Sequence, residues 1–242
     1  GRGCSIMNSR ERVLSALEHR EPDRIPFDLG STQVTGISAE AYMRVARSSG
    51  VPEETPELCD SIQQLAMPSE DFLKAMKVDT RGLFPLTSHN WNVEAQLTYA
   101  GTSWEYRDEW GIVHHRPKHG GHWFSLLRSP FEAIEPSVGA IRNHAWPDAG
   151  DRRRVAGLRD KAVEYRKQGK AVVLKGLCAG IFEMLQRLRG MENALMDIML
   201  NPGFADQLLG KIADLKIEFW EMALDELYDV VDVVAEMDDY GT

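Results

Sequence analysis

Two runs of almost unbroken apolar, β-branched residues constrain this chain most: Ala171-Val172-Val173-Leu174-Lys175-Gly176 and Val230-Val231-Asp232-Val233-Val234-Ala235-Glu236. A strand with one wet face alternates apolar and polar residues. A short run without alternation is expected to be covered on both faces, as strands of a parallel sheet are. A helix from Asp151 to about Gln168 precedes the first run. Ile181 to Gly190 and Met191 to Leu200 read as two short helices, and Pro202 opens a long one ending near Tyr228. Strands alternating with helices predict an α/β fold with a parallel sheet and helices outside it.

The N-terminal half adds two candidate core strands. Asn8 and Glu11 stand at capping-box spacing before a helix carrying Val13, Leu14 and Leu17, and Pro22 ends it. Arg24 to Gly30 follows as a short strand closed by a Gly, Ser and Thr cluster. Ser38 caps a helix with Ala41, Tyr42, Val45 and Ala46, which Gly50 stops. Pro52 to Pro56 is a loop. A helix over Ser69 to Lys77 then runs into a second strand at Val78 to Leu83. Core strands are therefore placed near 25–29, 78–83, 171–176 and 230–236. From about Leu97 to Leu127 the spacing of Trp104, Tyr106, Trp110, Ile112 and Val113, with turns at Asp108–Gly111 and Pro117–Gly121, predicts an inserted β-meander of three strands. A (β/α)₈ barrel needs eight strands in roughly 250 residues or more. Four strands in 242 residues leave an open sheet or an incomplete barrel; the second is preferred. The fold expected is α/β, a (β/α)8 TIM-barrel type truncated after about the fourth core strand. Residues 1–7 are read as a tag or disordered N-terminus and 8–242 as the barrel part.

Composition removes several function classes. No apolar run is long enough for a transmembrane helix, and Gly1 to Ile6 is too short and polar for a secretory signal. The net charge of −9 disfavours nucleic acid and anionic membrane surfaces, both of which need a basic face. Cys4, Cys59 and Cys178 are odd in number and far apart, which argues against a disulfide framework and for a reducing, cytoplasmic setting. Without a C-x-x-C pair, a structural zinc site within the chain is not expected.

Five segments in order resemble the uroporphyrinogen decarboxylase (URO-D) superfamily. They are Ser9-Arg10-Glu11-Arg12-Val13-Leu14 with Glu18 to Pro26; Asp108-Glu109-Trp110-Gly111-Ile112-Val113; Trp146-Pro147-Asp148; Gly180-Ile181-Phe182-Glu183 with Leu188-Arg189-Gly190-Met191-Glu192; and Asp238-Asp239-Tyr240-Gly241-Thr242. The resemblance runs from about Asn8 to Thr242 and implies the N-terminal two-thirds of a TIM barrel. The superfamily holds porphyrinogen decarboxylases, which are lyases, and methyltransferases that exchange methyl with a corrinoid (cobalamin) using zinc. Decarboxylases follow the first strand with a cationic stretch that clamps substrate carboxylates. Here Phe27-Asp28-Leu29-Gly30-Ser31-Thr32 stands in its place, and an Asp repels what an arginine fork binds. The resemblance therefore favours the cobalamin-dependent methyltransferase branch. It implies zinc on a His-x-Cys pair and a distant Cys, which residues 1–242 do not contain, and a corrinoid carried on a partner protein. By itself the chain is expected to bind neither cofactor and to be inactive. A half-barrel that only associates, with itself as a homo-oligomer or with a partner, is the reading from another class, because it would expose sheet edges and apolar surface.

Barrel sites lie at the C-terminal ends of strands, which selects the site candidates. Asp238 and Asp239 follow the last strand and are the catalytic candidates, with Glu183 just past the third strand. Asp28, Arg81, Phe182 and Tyr240 are the substrate-binding candidates. The plain alternatives are a cap for Asp28, a salt bridge to Asp79 or Asp28 for Arg81, a helix-dipole role for Glu183, and a solvated loop for Asp238-Asp239. His114, His115, His119 and His122 belong to an exposed hairpin rather than a metal site, since Pro117 forbids helical ligand spacing. Trp104, Trp110 and Trp123 pack the meander, and Met184, Met191, Met196 and Met199 fill core.

Overall fold

The computed structural model of the chain describes residues 6–52, 55–88 and 98–240. The expectations for the first five residues, the middle of the Pro52–Pro56 loop, Leu97 and the final Gly241-Thr242 lie outside the described residues. The chain divides into two compact units. One comprises Gly1–Pro85, Val155–Lys175 and Glu226–Ala235; the other comprises Leu86–Arg154, Gly176–Asp225 and Glu236–Thr242.

The first unit is built on a three-stranded parallel sheet. Helix α1 (Ser9–Leu17) starts with the expected capping box between Asn8 and Glu11. Ser38 caps α2 (Ala39–Ser48), and Ser69 caps α3 (Glu70–Ala75). Strands β1 (Leu58–Asp60) and β2 (Leu65–Ala66) pair as an antiparallel ribbon. Tyr42, Ala46, Ala66, Phe72, Leu73 and Val78 form one buried cluster. Strand β3 (Thr80–Leu83) pairs in parallel with Ala171–Lys175, which pairs in parallel with Val233–Ala235. Gly82 is required on β3, because a Cβ there would lie 2.3 Å from the Ser31 carbonyl oxygen.

The sheet is pinned at the starts of its strands by buried carboxylates. Asp79 precedes β3, is fully buried, and receives Arg12 Nη1 at 2.7 Å, Arg24 at 2.8 Å and the Phe27 amide at 2.8 Å. Asp232 precedes the last strand and receives Arg10 Nε at 2.9 Å and the Val172 amide at 3.0 Å. A buried charge is tolerated when paired and hydrogen-bonded. The first resembling segment, Ser9 to Arg12 with Asp23 and Arg24, is therefore architectural.

Three sequence expectations are corrected here. Residues 25–29 form no strand. Pro26 has no amide to donate, and the Phe27 amide goes to the Asp79 side chain while only its carbonyl accepts the Asp79 amide, at 2.8 Å. The last strand is three residues long and sits at the sheet edge, with Val234 50% exposed, so it is not the buried strand expected over 230–236. The four core strands are thus three, and among the described residues the parallel sheet does not close. The helix expected from Asp151 is split into a 3₁₀ turn (Arg152–Val155) and a later α-helix (Leu158–Lys167), with Gly157 between them at φ 74°.

The second unit carries the meander, with four strands rather than three. These are β4 (Thr98–Ala100), β5 (Ser103–Arg107), β6 (Val113–Pro117) and β7 (Ser125–Arg128), paired in chain order and antiparallel. Helices α4 (Val138–Asn143), α6 (Ile181–Arg189), α7 (Met191–Leu200) and α8 (Pro202–Leu227) follow, α5 being Leu158–Lys167 of the first unit. The long strand of the parallel sheet, Ala171–Lys175, is β8 and the edge strand Val233–Ala235 is β9.

The second and third resembling segments meet in this unit. Asp108 accepts the Trp110 and Ile112 amides at 2.9 Å and closes the turn at Gly111, φ 83°. Glu109 forms a forked pair with Arg154, 3.1 and 2.7 Å, buried on both sides, and Arg154 also donates to the Asp148 carbonyl at 2.7 Å. Trp110 and Trp146 pack edge to face at 6.2 Å. His114 corrects the reading of an exposed hairpin: it is 2% exposed, paired with Asp108 at 2.8 Å and stacked on Tyr106. Trp110 is buried as expected, whereas Trp123 is 60% exposed. Met184 fills core, but Met191, Met196 and Met199 are exposed. Helix α7 is apolar nearly all round, so periodicity did not say which face turns inward.

Candidate functional site

The segments that follow β8 and β9 in the chain, Gly176–Gly180 and Glu236–Tyr240, meet within the second unit. After β8 the chain reaches Gly180, which begins α6 without a side-chain cap of its own. The first amides of a helix have no partner inside it and bear partial positive charge. Asp238 supplies the missing acceptor from a distant part of the chain. Its carboxylate receives the Phe182 amide and the Glu183 amide at 2.9 Å each, and the Asp239 amide at 2.9 Å. The Tyr240 hydroxyl is a fourth donor. Burial pushes the Asp238 carboxyl up, but the three amides and the phenol outweigh it and hold it below the usual carboxylate range. The same bond raises the Tyr240 phenol, which carries the Asp238 carboxylate beside it.

Gly180 makes this contact possible. A Cβ on it would stand 2.0 Å from Asp238 Cγ, so any side chain there expels the carboxylate. Phe182 and Tyr240 stack with ring centroids 6.1 Å apart and planes 13° from parallel.

An open pocket of about 470 Å³ adjoins this junction, lined by Ile181, Ile217, Trp220, Met237 and Tyr240 with Lys216, Glu236 and Asp238 as its charged groups. Its walls are mainly apolar. Lys216 projects from α8 and is 6% exposed. Its ammonium is held by Glu236 at 2.7 Å and the Ala179 carbonyl at 3.0 Å, with Cys178 Sγ at 3.8 Å. The other Glu236 oxygen accepts Trp220 Nε1 at 2.5 Å. The cation is therefore neutralised and its position fixed, which suits orienting a small polar group better than holding a polyanion.

The site residues expected from sequence fall in two places. Asp238, Phe182 and Tyr240 come together, with the Glu183 amide among the donors. The Glu183 side chain instead pairs with Arg187 one turn on, at 2.5 Å, and Asp239 is exposed. Asp28 and Arg81 belong to the first unit. Asp28 accepts the hydroxyls of Ser31, at 2.6 Å, and Thr80. Arg81 is 1% exposed and forks onto Glu70 at 2.8 Å on both arms, with its remaining nitrogen on the Val78 and Thr80 carbonyls. Its partner is Glu70, not Asp79 or Asp28, and four of its five N–H donors are spent on the protein in a buried place. Sequence reasoning did not single out Lys216, Trp220 or Glu236. Lys216 and Trp220 sit four apart on α8, a spacing that places them on one face, but a Lys within an apolar helix stripe gives no sign of what it meets.

Among the described residues no group of three His, Cys, Asp or Glu side chains is placed to hold a metal ion, and no helix is long and apolar enough to cross a membrane. No family model matches the sequence, and no curated protein matches it. Among solved structures, a methyltransferase from Methanosarcina mazei is similar over 96% of this chain and 59% of its own, at 14% identity and a TM-score of 0.48. The chain thus spans 59% of the length of that chain.

Proposed function

We propose that this chain is the substrate-binding part of a methyl-transferring (β/α)-barrel enzyme of the uroporphyrinogen decarboxylase superfamily, acting on a small substrate and a corrinoid carried by another protein. The observation that carries the reading is the junction of Gly180–Glu183 with Asp238–Tyr240. These are two of the five resembling segments, far apart in sequence, and they join beside a pocket. Both follow parallel strands in the chain, where α/β folds place their ligands. The other three segments are absorbed by the architecture, as Arg12, Glu109 and Trp146 show.

The chain's own residues have distinct parts in this reading. Asp238 is a positioning residue, because its lone pairs are taken by three amides and a phenol and its depressed pKa makes it a weak base. Lys216, its three donors spent on Glu236, Ala179 and Cys178, fixes the inner wall of the pocket and the charge beside it. Trp220, Ile217 and Tyr240 exclude water from the substrate's apolar part. The corrinoid, when its carrier docks, supplies the centre that exchanges methyl. Among the described residues no cluster of side chains fits zinc. Decarboxylation of a porphyrinogen is the weaker reading: a polycarboxylate needs several free cations, and the one cation of this pocket is paired with Glu236.

Saturation-transfer NMR on the chain tests this with small thiols and methyl thioethers on one side and uroporphyrin, an octacarboxylate, on the other. Saturable contact is expected from the thiols and thioethers, lost in Trp220→Ala and weakened in Lys216→Met. Preferential binding of the octacarboxylate, or carbon dioxide release from uroporphyrinogen, would overturn the assignment.

A further inference from the structure

Helix α7 of the second unit is amphipathic in the inverted sense. A surface helix turns its apolar stripe to the core and its polar residues to water. Here the buried positions are Ala194 and Asp197. Asp197 accepts Arg189 Nε at 2.6 Å and Asn201 Nδ2 at 2.7 Å, and Asn193 Nδ2 donates to the Glu132 carbonyl at 3.0 Å. An alanine, an ion pair and side-chain amide bonds therefore hold the helix to its own unit. Met191, Leu195, Met196, Ile198, Met199 and Leu200 face outward, each between 41% and 79% exposed.

These six side chains are neighbours on the helix surface. Met191, Leu195 and Met199 follow one another at intervals of four, Met196 and Leu200 flank them on one side, and Ile198 flanks them on the other. Together they make an apolar patch of roughly 500 Å², at the upper end of what a monomer leaves in water. A single exposed leucine needs no explanation, but six large apolar residues in a ten-residue helix that buries its aspartate do. Charge limits what can cover them. Helix α7 contains no Lys or Arg, and Glu192 is the one charge on its outward side. A membrane-surface helix carries Lys and Arg beside its apolar face, and a charged peptide would meet no set of counter-charges. A second copy of the same face meets neither objection.

We propose that two copies of this chain pair through α7, the helices antiparallel across a two-fold axis between Leu195 and Met196. In such an isologous contact each pairing occurs twice. Leu195 of each copy lies on Met196 of the other, Met191 on Leu200, and Met199 on the aliphatic stem of Glu192. The two Glu192 carboxylates stand about 10 Å apart along the helices, at opposite ends of the contact and about one Debye length from each other. The apolar side chains of both copies bring roughly 1,000 Å² to the interface, the size a specific contact must reach, before its polar rim is added.

Sedimentation velocity of the 242-residue chain over a concentration series is expected to show a dimer with Kd of about 10 µM or below. Leu195→Lys combined with Met199→Lys should raise that Kd about a hundredfold or more, because each change would bury an unpaired ammonium at the contact. Both side chains are exposed in the single chain, so the circular dichroism spectrum and the melting midpoint of the dilute protein should be kept. Val234→Lys, on the open edge of the parallel sheet, should leave the dimer unchanged. A monomer at every concentration, a dimer that survives both lysines, or one broken by Val234→Lys instead would overturn the proposal. So would binding of the chain to phosphatidylcholine vesicles that the two lysines abolish.

Discussion

Replacing Gly180 by alanine tests how the segment after β9 is tied to α6. A Cβ at this position falls 2.0 Å from Asp238 Cγ and 2.2 Å from its Oδ1, well inside contact distance. Asp239 and Tyr240 beside it are exposed, so Asp238 is the partner that yields. Its carboxylate then leaves the Phe182 and Glu183 amides. Deleting a helix-capping acceptor costs about 1–2 kcal/mol where water can partly take its place, and losing the Phe182–Tyr240 stack adds about 0.5–1.5 kcal/mol. Gly180→Ala should therefore destabilise by about 1.5–3.5 kcal/mol. The sign is diagnostic. At φ −59° alanine is unstrained, and without the collision the change would stabilise by about 0.4–1 kcal/mol through the unfolded chain. Asp238→Gly removes both the acceptor and the colliding atoms, at about 1–2 kcal/mol. The double variant should then be no less stable than Asp238→Gly alone, a strongly non-additive result. Urea unfolding measures the free energies, and amide exchange at Phe182 and Glu183 reports the junction directly. A neutral or stabilising Gly180→Ala, or costs that simply add, would refute the reasoning.

Glu70→Gln should cost more than Arg81→Met, about 3–5 kcal/mol against 1–3, because the first strands a buried guanidinium and the second frees a carboxylate that water reaches; thermal melts of the pair decide, and equal costs would contradict it. The Arg12 guanidinium beside Asp23 lowers that carboxyl from 3.8 to about 2. Between those values the unfolded chain binds the proton that the folded chain does not, so the contribution is full above about 3.8 and gone by about 2. The stability gap between the native chain and Asp23→Asn, followed by urea midpoints on acidification, should close in that window; a constant gap would show no linkage. Burial, with Asp60 nearby, raises the Cys59 thiol to about 11, so at pH 8 it should react with a disulfide reagent more slowly than a free cysteine, in a time course read for each cysteine by mass. Glu109→Gln leaves Arg154 buried with half its fork unmatched and should cost about 3–5 kcal/mol, seen as loss of the near-ultraviolet dichroism of Trp110 and Trp146.

Much of the local structure was legible along the chain. The capping box at Asn8, the Ser38 cap, the strand runs read at 78–83 and 171–176 and the boundaries of α6, α7 and α8 all follow from signals within a few residues of each other. Caps and periodicity are short-range physics. What failed was decided by partners far away. Residues 25–29 carry strand-like composition, yet Asp79 takes the Phe27 amide and no ladder forms. The run from Val230 is apolar, yet it ends as an edge strand of three residues with Val234 facing outward.

The candidate site divides the same way. The strand-end rule and the family resemblance together named Asp238, Tyr240 and Phe182, along with Asp239, Glu183, Asp28 and Arg81. Their roles came from the fold: the carboxylate saturated by the N-terminus of a helix more than fifty residues earlier, and the need for glycine at 180. Lys216 and Glu236 became a pair only when α8 met the chain after β9, and Arg81 and Asp28 proved to be held by neighbours no spacing rule connects. A side chain's type is written in the sequence. Whether its charge is spent on the protein or left for a ligand depends on which distant donors and acceptors the tertiary structure brings within 3 Å.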